Sequence, residues 1–166
     1  MQTDDYFYFA YGSNLSTLRL KKRLPNARLI GTAVLQGHQL TFDMLSKDGS
    51  AKCNIAGAPA PMVVYGVVYG LSQLEMTELD NIEGARYDRV IFNVDLMNRR
   101  TIKAHCYVAN TFVSNQLPFD WYKQHVLNGA LEHGFPEPYI EKIKMQRSIV
   151  DENKNKHLLE SNIYKK

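Results

Sequence analysis

The hydrophobic positions change period several times along the chain, and each change marks an element. Tyr6-Phe7-Tyr8-Phe9-Ala10-Tyr11 is an aromatic run that ends in Gly12-Ser13-Asn14, which predicts a strand entering a tight turn. From Leu15 the spacing becomes helical. Leu15, Leu18 and Leu24 are interleaved with Arg19, Lys21, Lys22 and Arg23, and Pro25 stops the segment. Ser13 or Asn14 is a natural N-cap for that helix. Strand-like runs follow at 28–35 and 39–44, on either side of Gln36-Gly37, with a polar loop over 46–50. Asn54-Ile55-Ala56 precedes a Gly/Pro-rich loop. Met62-Val63-Val64-Tyr65-Gly66-Val67-Val68-Tyr69 is then almost continuously apolar, as in a central strand. Gly66 inside it predicts a bulge or a close backbone approach.

The second half holds the helices. Ser72-Gln73-Leu74-Glu75 has the capping-box pattern, so a helix runs from there to about Ile82, with Leu74, Leu79 and Ile82 facing the core. Glu83-Gly84 ends it, glycine being the favoured residue after a helix. Runs 87–96 and 101–109 flank a turn at Asn98-Arg99 and read as an antiparallel pair. Pro118 opens a helix to Glu132, closed by Gly134, and Pro136 opens another from Glu137 to about Arg147. Residues 148–166 are polar and charged, the composition of a loose extension, with a helical stretch expected around Leu158-Leu159. Strands joined antiparallel, with helices concentrated late, predict an α+β fold. Its expected form is a small antiparallel or mixed β-barrel with flanking helices. One domain is expected over 1–147, with 148–166 packed on it as a C-terminal extension.

Composition narrows the function classes. At 166 residues a single domain buries roughly 70% of its unfolded surface and needs no covalent staples. Cys53 and Cys106 form no C-x-x-C pair, and as thiols in or near the core they fit a reducing compartment. No apolar run reaches the roughly 18 to 20 residues of a membrane span, and the acidic start Met-Gln-Thr-Asp-Asp is not a basic leader. A cytoplasmic protein without membrane partners is expected. The net charge of +3 comes with basic clusters at Lys21-Lys22-Arg23, Arg99-Arg100 and the tail, but with no basic stripe interleaved with stacking aromatics. No nucleic-acid partner is therefore expected. His38, His105, His125, His133 and His157 lack ligand spacing, and neither a Rossmann fingerprint nor a P-loop is present, so no metal and no cofactor are expected. Phe119, Trp121 and Tyr122 have the spacing of a helix core.

Two places carry candidate chemistry. A strand turning through Gly12 into a helix leaves backbone N–H groups pointing outward, which suits a carboxylate or a developing oxyanion. Ser13 and Asn14 add side-chain donors. The same spacing is that of a plain capping turn, and Ala-Tyr-Gly-Ser-Asn is not the G-x-S-x-G of a serine nucleophile. Glu83 sits at the negative end of a helix dipole, where partial desolvation raises a carboxylate towards the range of a general base. A solvated glutamate in a surface turn has the same local sequence. Asp80, one helical turn earlier, reads as a hydrogen-bonding or loop-fixing residue.

Four signatures in register resemble the γ-glutamyl cyclotransferase superfamily. They are Phe9-Ala10-Tyr11-Gly12-Ser13-Asn14-Leu15, Val64-Tyr65-Gly66-Val67-Val68-Tyr69, Leu79-Asp80-x-x-Glu83-Gly84 followed by Tyr87, and Gly129-Ala130 with Gly134-x-Pro136-x-x-Tyr139. They extend from about Tyr6 to Gln146. The resemblance implies a small closed barrel with a cavity at one end. Its substrate is a γ-glutamyl compound whose α-amino group attacks its own side-chain amide, yielding 5-oxoproline and an amine or amino acid. The resemblance makes Glu83 the catalytic residue, with Tyr11, Gly12, Ser13, Asn14 and Leu15 as the substrate cradle and Tyr87 as a further substrate-binding residue. It implies a monomer or homodimer acting on a small molecule. The short link between Glu83 and Tyr87 implies an open rim. Gly12-Ser13-Asn14-Leu15, in place of the Gly-Ser-Leu of the glutathione-acting branch, points away from glutathione. Two other readings keep the fold: an amide hydrolase releasing glutamate, and a non-catalytic module binding γ-glutamyl-like anions.

Overall fold

The computed structural model describes residues 6–165. In chain order these form β1 (Tyr6–Ala10), α1 (Thr17–Arg23), β2 (Arg28–Gln36), β3 (His38–Leu45), β4 (Ala51–Gly57), β5 (Val63–Leu71) and α2 (Gln73–Glu83). There follow β6 (Tyr87–Leu96), β7 (Thr101–Ala109), α3 (Asp120–Glu132), α4 (Glu137–Met145) and α5 (Lys154–Ser161). Among the described residues no helix is long and apolar enough to cross a membrane.

Five strands close a barrel in the order β1-β5-β2-β6-β7. The consecutive pairs are antiparallel, and β7 returns to β1 in parallel at Tyr8↔His105, so the sheet is mixed. The expected α+β barrel with flanking helices is what the chain forms. The almost continuously apolar run, β5, is the central strand, hydrogen-bonded to β1 and β2, with residues 66–71 all buried. Gly66 permits a close approach there. A Cβ on it would lie 2.3 Å from the Phe9 ring and 2.6 Å from the Ala10 carbonyl. The register irregularity lies instead on the partner strand, between Leu29 and Gly31 of β2. The runs flanking Gln36-Gly37 do not pair with each other: β2 enters the barrel, while β3 pairs with β4 in a separate two-stranded sheet.

The helices follow their end signals closely. Ser72 and Glu75 form the reciprocal capping box that opens α2, and Gly84 closes it at φ 77° and ψ −175°, a region open essentially to glycine. The expected inward face of α2 needs correction. Leu74 is 82% exposed, and Met76 and Leu79 carry the buried stripe, because Leu74 lies in the first turn on the outer side. The first helix also starts later than expected. Ser13–Leu15 is a single 3₁₀ turn, and Ser16 is the N-cap of α1, its side chain accepting from the Arg19 amide. The polar segment after α4 is held by Trp121 Nε1, which donates to Asp151 over 2.8 Å, and by a bridge between Phe119 and Ile149. Its helix, α5, covers Leu158 and Leu159 as expected, although both remain exposed. Cys53 and Cys106 are buried, free thiols.

Candidate active site

The strand β1 ends at Ala10, and the chain turns through Gly12 into the 3₁₀ turn at one end of the barrel. This turn is clamped from behind by α3. A Cβ on Gly129 would fall 2.3 Å from Leu15 Cβ and 2.7 Å from the Leu15 carbonyl carbon, so only glycine lets the helix and turn meet. His133 Nε2 reaches the Leu15 carbonyl at 2.9 Å, and Thr17 donates from its hydroxyl to Glu132 over 2.6 Å. Gly12 is also closely packed, though less tightly. A Cβ there would sit 3.0 Å from Cys53 Cβ and 3.3 Å from the Tyr122 hydroxyl.

Inside the turn, the Leu15 amide donates to the Gly12 carbonyl and the Ser16 amide to that of Ser13. Among the described residues, the amides of Gly12, Ser13 and Asn14 have no acceptor. Leu15, expected in the cradle, therefore differs from its neighbours. Its N–H is consumed by the turn and its side chain is fully buried, where it anchors the loop.

Glu83 ends α2 and, with Tyr11, Gly12, Ser13, Asn14 and Tyr87, lines one recess. Its Oε1 accepts from Asn14 Nδ2 at 3.2 Å, and the same Nδ2 also donates to the Tyr8 hydroxyl at 3.1 Å. Asn14 Oδ1 in turn accepts from Arg23 Nη1 at 3.3 Å, so the buried asparagine links the glutamate to the end of α1. Burial raises the Glu83 carboxyl above its ordinary value, against the opposing pull of Arg23, Arg19, Lys52 and the Asn14 hydrogen bond. The result is a carboxyl group biased towards holding a proton yet kept ionisable by three cations.

Tyrosines build the walls. Tyr8, Tyr107 and Tyr122 join Tyr11 and Tyr87 around the recess, and Cys53 completes it. Tyr87 donates to the Cys53 carbonyl over 2.6 Å, and the Tyr122 hydroxyl accepts from the Cys53 amide at 2.9 Å. Tyr11 donates to the Tyr107 carbonyl, and Tyr107 to Asp80 Oδ1 at 2.7 Å. Asp80 thus fixes a wall residue from outside the recess and pairs with Arg89 at 3.3 Å. Burial holds all five phenols well above their ordinary range, so they stay neutral donors. Burial likewise pushes the Cys53 thiol up to about 12, which leaves it protonated and unsuited to nucleophilic attack at neutral pH.

The recess itself is tight, about 30 Å³, and adjoins an outer basin of about 220 Å³. The two share Ser13, Glu83, Tyr87 and Tyr122. The basin adds Arg19 and Arg23 from α1, Asp48 from the β3–β4 loop, Lys52 from β4, Trp121 from α3, and Lys156 and Glu160 from α5. Sequence reasoning missed Tyr8, Tyr107 and Tyr122 as wall residues, and the charged residues that line the basin. The aromatic run of β1 was the only local signal, since Tyr8 lies on the same buried face as Ala10. Among the described residues no group of three or more His, Cys, Asp or Glu side chains is placed to hold a metal ion.

Residues 63–143 match the AIG2-like family. Over 149 residues the chain is 31% identical to the gamma-glutamylcyclotransferase of Mus musculus, covering 85% of this chain and 78% of that protein. It is 31% identical over 150 residues to the gamma-glutamylcyclotransferase of Homo sapiens, with the same coverage. A solved gamma-glutamyl cyclotransferase structure superposes with a TM-score of 0.79 at 29% identity, covering 86% of this chain and 88% of that one.

Proposed function

Since the chain belongs to the γ-glutamylcyclotransferase family, we propose that it cyclises a γ-glutamyl compound to 5-oxoproline and releases the attached amine or amino acid, with Glu83 moving the protons. The observation that carries this reading is the joining of Glu83 to the glycine turn: its carboxyl group lines the same recess as Gly12, Ser13 and Asn14 and is bonded to Asn14.

The chemistry matches what the recess offers. Nucleophile and electrophile belong to one substrate molecule, so no protein nucleophile is needed. Holding the glutamyl chain folded draws on an effective molarity of roughly 10⁵ to 10⁸ M for a well-oriented intramolecular attack. Glu83 takes a proton from the α-ammonium group, and the freed amine attacks the γ-carbonyl carbon. The new C–N bond closes the five-membered ring. As the tetrahedral centre collapses, the old amide C–N bond breaks and its nitrogen receives that proton from Glu83; the second proton still carried by the ring nitrogen then passes through the re-ionised Glu83 to the released amine, which leaves as its ammonium ion. One raised-pKa carboxyl serves both transfers, worth about 10²- to 10⁴-fold. The free amides of Gly12, Ser13 and Asn14 supply donors for the substrate α-carboxylate and the oxyanion. Neutral phenols around them exclude water without competing for the proton. The substrate spans recess and basin, its reacting end innermost.

The test is a product assay. Incubation with a panel of γ-glutamyl amino acids and amines is expected to release 5-oxoproline, and Glu83→Gln to abolish it. Free glutamate as the product would replace cyclisation by hydrolysis, and full activity in Glu83→Gln would remove Glu83 from its role.

A further inference from the structure

The last described segment of the chain folds back onto the first helix. After α5 the chain makes one 3₁₀ turn, Asn162–Tyr164, and there the Tyr164 hydroxyl lies 3.0 Å from Ser16 Oγ, across 148 residues of sequence. The same hydroxyl is 2.6 Å from Nδ1 of His125, a fully buried side chain of α3. Asn128 of α3 stands beside it as well. Ser16, His125 and Tyr164 line neither the recess nor the basin, and the proton transfers do not use them.

The chemistry of the partners fixes which atom donates at each step. His125 Nε2 lies 2.9 Å from Glu160 Oε2, and a carboxylate can only accept, so Nε2 carries a hydrogen. Arg19 Nη1, 3.2 Å from the same nitrogen, is a second donor turned to that oxygen, which it reaches at 2.6 Å. Burial lowers the ring's pKa to about 4 and keeps it neutral at ordinary pH. A neutral imidazole with its hydrogen on Nε2 has a bare lone pair on Nδ1, and Tyr164 donates its one proton there. The Ser16 hydroxyl therefore donates to the Tyr164 oxygen, while Ser16 Oγ accepts from the Arg19 amide over 3.3 Å. One directed chain runs from the Arg19 amide through Ser16, Tyr164 and His125 to Glu160, and hydrogen bonds aligned in this way strengthen one another.

Ser16 is where this chain meets the site. Its amide closes the glycine turn by donating to the Ser13 carbonyl, and its side chain caps α1, whose last residue, Arg23, bonds to Asn14 beside Glu83. From α3, Gly129 and His133 back the turn at Leu15, and Tyr164 backs it one residue later. A shift of Ser16 would reach the free amides of Gly12, Ser13 and Asn14 on one side and the Arg23–Asn14–Glu83 contacts on the other. We propose that Tyr164 is a positioning residue for the reaction, holding Ser16 so that Gly12, Ser13 and Asn14 present their amides in one fixed geometry. The proposal rests on the recess being the γ-glutamyl site. Tyr164 acts through Ser16 and does not touch the substrate.

The experiment is a kinetic double-mutant cycle on Tyr164→Phe and Ser16→Ala, with γ-glutamyl-alanine as substrate, joined to amide hydrogen exchange. In Tyr164→Phe, kcat is expected to fall about two- to tenfold, the worth of one hydrogen bond. KM should change less, because a loosened turn still offers donors to the bound carboxylate but misaligns them for the oxyanion. The double variant is expected to be no slower than the slower single one. The Leu15 and Ser16 amides, both bonded within the turn, should exchange faster in Tyr164→Phe, with those of β5 unchanged. A variant that melts lower but keeps its kcat, additive losses in the cycle, or unaltered exchange at Leu15 and Ser16 would overturn the positioning role. Absence of 5-oxoproline from the wild-type protein across the γ-glutamyl panel would overturn the cyclotransferase reading instead, and the exchange rates alone would then decide whether Tyr164 holds the turn.

Discussion

Asn14 Nδ2 lies 3.2 Å from Glu83 Oε1, a hydrogen bond between residues at the two ends of the functional constellation. The bond stabilises the charged carboxylate, while burial favours the neutral acid. Asn14→Ala removes the first influence and leaves the second. The acid limb of kcat against pH is then expected to move to higher pH than in the wild type. The rate at neutral pH should fall, as less of the base is ionised. A pH–rate profile of both proteins checks this, and an unmoved limb would mean that Asn14 does not set the state of Glu83.

Glu83→Gln tests what the buried charge costs in stability. A carboxyl group whose folded pKa is raised contributes stability below its ordinary pKa of 4.5 and loses it as pH rises through the folded value. At neutral pH the ionised, buried group is a cost. The glutamine variant is therefore expected to unfold at an equal or higher temperature than wild type at pH 7, with the difference narrowing towards pH 4. Thermal melts across that range test it. A variant less stable at pH 7 would show that the ionised carboxylate is held by more than it loses on burial.

Gly129→Ala is expected to damage the site from behind. The added methyl group must displace the Leu15 Cβ, 2.3 Å away, and the Leu15 and Ser16 backbone, 2.7 Å away, none of which is the free end of a flexible side chain. Overpacking of this kind costs about 1–3 kcal/mol. Because the displaced segment is the turn that carries Gly12–Asn14, activity should fall at least tenfold even under conditions where the variant is fully folded. Far-ultraviolet circular dichroism with a rate assay separates the two effects.

The network behind α1 is expected to contribute to the loss of stability in acid. Burial lowers His125 from its ordinary 6.5 to about 4, so its contribution is present above pH 6.5 and is lost as pH falls towards 4. For Glu160, burial works upward but is outweighed by the His125 hydrogen bond and the Arg19 charge, which hold it near 2. Its contribution is present above 4.5 and is lost between 4.5 and 2. Urea titrations at stepped pH are expected to show stability falling in both windows. In Glu160→Gln the lower window should flatten, and the neutral-pH stability should drop because buried Arg19 loses its counter-ion.

Much of the barrel was legible because its signals are local. The Ser72–Glu75 box, Gly84 after Glu83, the β6–β7 turn and the apolar β5 each follow from a few neighbouring residues. The division of labour inside the glycine turn was not legible. That Leu15 spends its amide while Asn14 turns inward depends on a 3₁₀ geometry fixed by α3, more than a hundred residues later. Leu74 failed for a simpler reason, since an apolar residue in a helix's first turn is placed by the packing of the whole helix rather than by its own character. The outer basin was invisible for the same cause. Lys21-Lys22-Arg23 reads as one basic cluster, yet only Arg23 faces the site. Lys52 acquires its aromatic faces from α3 and shares its counter-ion with Lys156 on α5.

The parallel seam between β1 and β7 has a consequence for the life of the chain before it is an enzyme. The first described strand has no partner on one side until the seventh is available, and the turn it leads into has no backing until α3 arrives. As the chain emerges from N- to C-terminus, its first hydrophobic strand must wait, aromatic edge uncovered, for most of the sequence to be made. Contacts of such long range are slow to form and leave strand edges open to wrong partners in the interval. Shortening that exposure by a permuted connection of β7 to β1 would be expected to speed refolding while leaving the recess unchanged.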